Sequence, residues 1–269
     1  MPPSPLPSVP SASDAPAIRL LGIVNAFGRN VVHDGLDLEV RRGEILGLVG
    51  GSGSGKSVLL RSMVGLLRPQ RGTVEVLGQD VYALSTARQR SLQTRWGVLF
   101  QDGALFSSLT VRENVQVPLV EHLRLKGPLL DELAALKLGL VGLDATAADK
   151  LPAELSGGMR KRAGLARALA MDPEIILLDE PTAGLDPIGA ADFDALILSL
   201  HRALGLTVVM ITHDVDSLVR ITDRIAVLLN KRCLVATLDA LRAREEPWLR
   251  AYFGGPRGRA AIGSGRTEG

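Results

Sequence analysis

The stretch Gly50-Gly51-Ser52-Gly53-Ser54-Gly55-Lys56-Ser57 constrains the fold of this 269-residue chain more than any other feature. It satisfies G-x-x-x-x-G-K-[ST] and follows the apolar run Ile45 to Val49. It opens a segment, Lys56 to Leu67, in which Leu59, Met63 and Leu66 or Leu67 share one helical face, with Arg68-Pro69 as the expected stop. A strand that turns through glycines into a helix leaves backbone N–H groups pointing inward at the positive end of the helix dipole, and such a turn cradles phosphate. Lys56 is then placed to neutralise the β- and γ-phosphates of a nucleoside triphosphate. Ser57 offers its hydroxyl to Mg²⁺, which keeps most of its waters. The nucleotide-contacting run is taken as Gly50, Gly51, Ser52, Gly53, Ser54, Gly55, Lys56, Ser57 and Val58.

The rest of the chain reads as α/β. Ile18 to Val24, the alternating Leu36, Leu38 and Val40, and Thr73 to Leu77 predict three strands of a small antiparallel sheet around the buried run Ile45 to Val49. Between about Asp102 and Leu155 Leu-rich helical patterns such as Leu129 to Leu143 replace strands, as in an inserted helical lobe. Strand runs return at Ile175 to Leu178, Thr207 to Ile211 and Arg224 to Leu229, separated by helical spacing at Gly157 to Ala170 and Ala190 to Leu204. That alternation predicts a largely parallel sheet covered on both faces.

Composition removes several classes. A mean hydropathy of +0.20 is high, but the longest wholly apolar runs are four or five residues, such as Ile225 to Leu229, against roughly twenty for a membrane span. Cys233 is the single cysteine, so no intrachain disulfide forms. The net charge of +2 and an aromatic content of 3% argue against a nucleic-acid partner. The Pro- and Ser-rich start, Met1 to Pro16, is expected to be a disordered tail, and the arginines from Arg242 onward a solvated one.

Two further motifs carry chemistry. Leu177-Leu178-Asp179-Glu180 ends an apolar strand with two carboxylates, and strand ends in an open α/β sheet lie beside the phosphate turn. Asp179 suits Mg²⁺, directly or through water, and Glu180 suits the group that orients or deprotonates an attacking water. Leu155-Ser156-Gly157-Gly158-Met159 places a capping serine before a glycine-softened helix start, a second anion site.

With Ser156-Gly157-Gly158 standing 21 residues before Leu178-Asp179-Glu180, and with Gln101 and His213 each following a strand-like run, the chain resembles the ATP-binding cassette (ABC) ATPases from about Ile18 to Leu241. The resemblance implies a P-loop NTPase (RecA-like) core with an antiparallel β subdomain and an α-helical subdomain at about 102–165, the ATPase domain spanning 17–253 and a basic tail covering 254–269. It implies that Phe27 stacks on adenine and that Gln101 touches Mg²⁺ or water and senses a membrane partner. Asp186, in Ala183-Gly184-Leu185-Asp186, crosses a dimer interface, and His213 contacts the γ-phosphate. His33, His122 and His201 have no such context. Two ATP molecules are expected between two copies of the chain, each phosphate turn facing the partner's Ser156 to Gly158 segment.

Finer features are similar to the ATPase subunits of Mla-type phospholipid transporters. They are Gly103-Ala104-Leu105-Phe106 after Gln101, Asn114, Pro118-Leu119, Glu121-His122, Met159 and the segment Glu246 to Pro256. That likeness implies an integral membrane permease, an MCE-domain lipid-binding protein, a small STAS-domain protein and a peripheral place on the cytoplasmic face of the inner membrane. The competing expectation is the ATPase of an importer for a polar solute such as an amino acid. A small-molecule P-loop kinase would lack Ser156-Gly157-Gly158 and His213.

Overall fold

The computed structural model describes residues 15–255, so the tails expected over 1–16 and 254–269 lie outside the described residues except for the inner two of each. Strands β1 (Ile18–Phe27) and β2 (Asn30–Val40) pair antiparallel, and the chain crosses to β3 (Ile45–Gly50) and helix α1 (Lys56–Met63). It then returns with β4 (Arg71–Val76) and the two-residue β5 (Gln79–Asp80) to complete a four-stranded sheet in the order β2-β1-β4-β5. The three expected antiparallel strands are present. The expectation that they surround Ile45 to Val49 is corrected, because β3 is an inner strand of a second sheet.

That second sheet follows from α2 (Thr86–Gln93), β6 (Trp96–Leu99), the helices α3 (Val111–Leu123), α4 (Pro128–Leu140), α5 (Ala145–Ala148) and α6 (Gly157–Ala168), and then β7 (Ile175–Asp179), α7 (Pro187–Leu204), β8 (Thr207–Ile211), α8 (Val215–Ile221), β9 (Arg224–Leu229) and β10 (Arg232–Ala236). Its order is β10-β9-β3-β8-β7-β6, parallel throughout except for the antiparallel edge strand β10. Residues Ile45 to Val49, Ile175 to Leu178 and Thr207 to Ile211 are buried without a break. Strands covered on both faces have no polar side to show, which is why these runs do not alternate. The chain closes with α9 (Leu238–Arg242) and α10 (Pro247–Gly254).

Helix α1 is shorter than predicted. Gly65 adopts φ 76°, and the N–H groups of Leu66 and Leu67 both turn back to the Arg61 carbonyl. This left-handed cap ends the helix four residues early, buries Val64 and leaves Leu66 64% exposed. The solvated reading of the chain from Arg242 onward is also corrected up to residue 255. Leu241, Leu249 and Phe253 are buried in a cluster with Val49, Val215, Leu218, Ile225 and Val227, while Arg244 and Arg250 pair with Glu246 and Glu245. Apolar residues at 249 and 253, one helical turn apart, give α10 a face to bury.

The helical lobe packs α3 against α4 and α6 through Val111, Val115, Leu119, Ala134 and Leu138. Thr110 and Glu113 close a reciprocal capping box at the start of α3. Buried Lys137 of α4 pairs with Asp172, just before β7, and Arg162 of α6 donates to the Val141 carbonyl. At the amino ends of β9 and β3 Arg224 makes a two-pronged bond to buried Glu44, at 2.8 and 2.7 Å, which fixes the turn that feeds β3.

Gly97 in β6 lies flat against α6, and a Cβ there would collide with the Ala168 carbonyl oxygen, whereas a Cβ at Gly139 in α4 meets nothing within 4 Å beyond its own helix backbone among the described residues. Gly97→Ala is therefore expected to destabilise the protein by about 1–3 kcal/mol through overpacking. Gly139→Ala is expected to stabilise it by up to about 1 kcal/mol through helix propensity. Urea denaturation of the two variants checks both signs.

Candidate nucleotide site

Strand register brings the site together. Leu48 of β3 pairs with Ile211 of β8, Asp179 of β7 pairs with the same Ile211, and Leu99 of β6 pairs with Leu178. Four segments therefore leave one carboxyl edge side by side: the phosphate turn after Gly50, Thr212-His213 after β8, Asp179-Glu180 after β7, and Gln101 two residues past β6. An open parallel sheet places its ligands at such an edge.

The phosphate turn is shaped by what lies beneath it. Gly55 takes φ 94°, and a Cβ there would run into Val32 and the His33 imidazole. Gly50 sits over the Ser54 hydroxyl and the Leu228 carbonyl, again with no room for a side chain. The Lys56 ammonium donates to the carbonyls of Gly50 (2.8 Å) and Gly51 (3.3 Å), spanning the turn. Ser57 and Val58 lie in the first turn of α1, with Ser57 exposed.

Asp179 and Glu180 are both partly buried, and they differ in environment. Burial, reinforced by the charge of Glu180, pushes the Asp179 pKa up, while Arg61 and Lys56 oppose the shift. A half-buried carboxylate in that position gains from a cation beside it. Among the described residues no three His, Cys, Asp or Glu gather as a metal cage. The oxygen donors of Ser57, Asp179 and Gln101 suit a hard ion that draws its other ligands from phosphate and water. Glu180 lies in the left-handed region at φ 51°, an uncommon conformation for a residue with a side chain. Its N–H is held by the Ile211 carbonyl at 2.9 Å, and its carboxylate meets Nδ1 of His213 at 2.7 Å. That imidazole is 70% exposed at the lip of the site and Glu180 only 15%, so the pair presents a carboxylate oxygen from inside and a ring from outside.

The remaining predicted residues lie on flanking elements. Ser156 caps α6 and accepts from the Met159 N–H, as its sequence position suggested. Gly157 and Gly158 face Leu185. Asp186 caps α7, its carboxylate accepting from the N–H groups of Ile188 and Gly189 at 3.0 and 2.9 Å. Phe27 ends β1 with 51% of its surface exposed, so it is not core packing. Gln101 is exposed, and the loop behind it is held from two sides. Asn114 bonds both the N–H and the carbonyl of Phe106 and reaches the Leu109 and Thr110 carbonyls, while Arg167 donates to Gly103 and Ala104 and lies over the exposed Phe106 ring.

Three features escaped the sequence reading. His33, assigned no role, is fully buried under the phosphate turn, bonded through Nδ1 to Asn25, which in turn donates to Ser62. Lys161 of α6, 6% exposed, donates to the backbone of both Gln101 and Glu180. In α10, Trp248 approaches Gly51 and stacks on Tyr252, whose buried hydroxyl has no hydrogen-bond partner among the described residues. The spacing of Trp248 and Tyr252 at i, i+4, beside Leu249 and Phe253, was a legible sign of a packed helix.

The fold and this edge define an ATPase cassette, and comparison with known proteins agrees. A family model described as ABC transporter matches residues 33–183. The chain belongs to the ABC transporter ATPases. It is 40% identical over 229 residues to the intermembrane phospholipid transport system ATP-binding protein MlaF of Escherichia coli K12, covering 85% of each chain. It is equally 40% identical over 242 residues to a probable ribonucleotide transport ATP-binding protein, mkl, of Mycobacterium leprae, covering 90% of this chain and 70% of the relative. Among solved structures, the dimeric bacterial ABC transporter cassette MJ0796 superposes with a TM-score of 0.75 at 30% identity, over 82% of this chain and 98% of that one. The same cassette has been solved as a dimer bound to ADP and Pi, with a TM-score of 0.74.

Burial draws the His33 pKa from 6.5 down to about 4, opposed by the backbone of Ser54. The folded chain keeps this ring neutral where the unfolded chain would protonate it, so its contribution to stability is full above 6.5 and is lost as pH falls toward 4. Melting temperature measured between about pH 7.5 and 5 is expected to fall more steeply for the wild type than for His33→Leu. Equal slopes would place the ring outside the titrating set.

Proposed function

We propose that this chain hydrolyses ATP as one of two copies in a transporter of the bacterial inner membrane that moves phospholipid between the inner and outer membranes. The observation that carries the catalytic part is the Glu180–His213 contact at 2.7 Å, on the strand edge that also holds Lys56 and Asp179. In this reading Phe27 stacks on adenine, the N–H groups of Gly50 to Val58 surround the phosphates, and Lys56 exchanges its two loop carbonyls for β- and γ-phosphate oxygens. Glu180 orients the attacking water and accepts its proton. His213, tethered to that carboxylate, turns its exposed ring face toward the γ-phosphate. Mg²⁺ held by Ser57, Asp179 and Gln101 supplies charge neutralisation on the phosphates when bound.

A second copy completes each site. The Ser156 to Gly158 helix start presents bare N–H groups and a positive dipole end, and it suits the γ-phosphate bound on the facing subunit, with Asp186 near the seam. Closure is then driven by ATP bridging both surfaces, and loss of the γ-phosphate reopens them. The dimeric MJ0796 cassette supports the pairing.

The lipid reading rests on likeness to MlaF over most of both chains; in this reading the stretch from Gln101 to Leu109 meets the permease and is the part of the sequence that separates it from a polar-solute importer. An MCE-domain protein and a STAS-domain protein are the further partners, and the chain sits peripherally at the cytoplasmic face. Among the described residues no helix is long and apolar enough to cross a membrane. The printed name of the mycobacterial relative gives ribonucleotide transport, so the cargo is the point to test.

Glu180→Gln is expected to lower the ATPase rate by about 10²-fold or more while ATP binding persists and the closed dimer accumulates. Lys56→Ala is expected instead to weaken nucleotide binding, read by titration with a fluorescent ATP analogue. An unchanged rate in Glu180→Gln would overturn the catalytic assignment. Affinity purification of the tagged chain from native membranes tests the cargo. Recovery of a permease, an MCE-domain protein and phospholipid supports the lipid reading. A periplasmic solute receptor in their place overturns it and leaves the ATPase chemistry standing.

A further inference from the structure

Lys161 is almost fully buried, yet among the described residues it points at no carboxylate within hydrogen-bond distance. Its ammonium donates at 3.0 Å to the backbone carbonyl of Gln101 and at 3.0 Å to the backbone carbonyl of Glu180, residues 60 and 19 positions away. Burial lowers its pKa, and the charges of Asp102 and Glu180 hold it up. Burying an ammonium to satisfy two main-chain oxygens is a costly way to fill a core position, which hydrophobic side chains fill without desolvating a charge. The two carbonyls belong to the residues that leave the sheet edge beside the phosphate turn. One of them, at Glu180, is in the left-handed conformation that neighbouring structure must enforce.

We propose that Lys161 is a positioning residue for ATP hydrolysis, pinning the backbone of Glu180 and Gln101 to helix α6 so that the Glu180 carboxylate and the Gln101 side chain are aimed together. The pin also ties them to the helix that Ser156 caps, five residues earlier. A displacement of α6 is thus carried to both groups through two hydrogen bonds rather than through loose packing.

The proposal rests on the assignment of Glu180 given above, and the experiment separates the two. Steady-state ATPase kinetics and ATP affinity are measured for Lys161→Met, Lys161→Arg and Glu180→Gln in the full chain. Lys161→Met keeps the length and apolar bulk and removes every donor. Its kcat is expected to fall by about 10- to 100-fold with ATP affinity within about threefold of wild type, since Lys56 and the phosphate turn are untouched. Lys161→Arg, which keeps donors and charge, is expected to recover much of the loss. Wild-type kcat in Lys161→Met overturns the proposal, as does a kcat loss matched by an equal loss of ATP affinity. If Lys161→Met does not fold, Lys161→Gln, with a shorter donor, gives the same kcat-against-affinity comparison. An active Glu180→Gln would overturn the catalytic assignment itself. An inactive Glu180→Gln beside a fully active Lys161→Met overturns the pin alone.

Discussion

The contact on which the rest of the site depends is the seating of Gly55 on Val32 and His33. At that point the phosphate turn, which belongs to the parallel sheet, presses on β2, which belongs to the antiparallel one. Nothing larger than hydrogen fits between them, and φ 94° at Gly55 lets the chain swing from β3 into α1 in so short a distance. Asn25, His33 and Ser62 continue the contact downward as a buried polar chain joining β1, β2 and α1. The small sheet is thus the floor of the turn as well as a neighbour to it.

Above that floor the geometry is set by register. Parallel pairing at fixed offsets puts the ends of β3, β8, β7 and β6 in line, so residues from positions 50, 101, 179 and 213 meet although the chain separates them widely. Each strand end contributes a different chemistry: an ammonium and bare N–H groups, an amide, two carboxylates and an imidazole. The carboxylates are told apart by surroundings, Asp179 by burial near Lys56 and Arg61, Glu180 by its backbone conformation and its imidazole partner.

Much of this was legible in the sequence because motifs of this kind are local. The glycine-rich turn, the strand ending in Asp179-Glu180 and the serine cap at 156 each announce a conformation within a few residues, and the strands Thr207 to Ile211 and Arg224 to Leu229 match the observed spans. What escaped depends on partners far along the chain. His33 breaks the inward alternation of Leu36, Leu38 and Val40 because the pairing of β1 with β2 shifts register near Gly35, which has φ 66°. Alternation alone therefore assigns the ring to the wrong face. Lys161 is one cation among several in α6, and only the folded chain shows that it turns inward. The early end of α1 was written at Gly65, but the regular spacing of Leu66 and Leu67 outweighed it.

The bracing of the loop from Gly103 to Thr110 has a mechanical meaning. A surface that passes motion between two bodies is useful only if it is stiffer than the contact that loads it, since a compliant loop absorbs displacement locally. Asn114 grips this loop from α3 and Arg167 grips it from α6, both through main-chain atoms. A push on the exposed Phe106 ring would therefore load two helices at once.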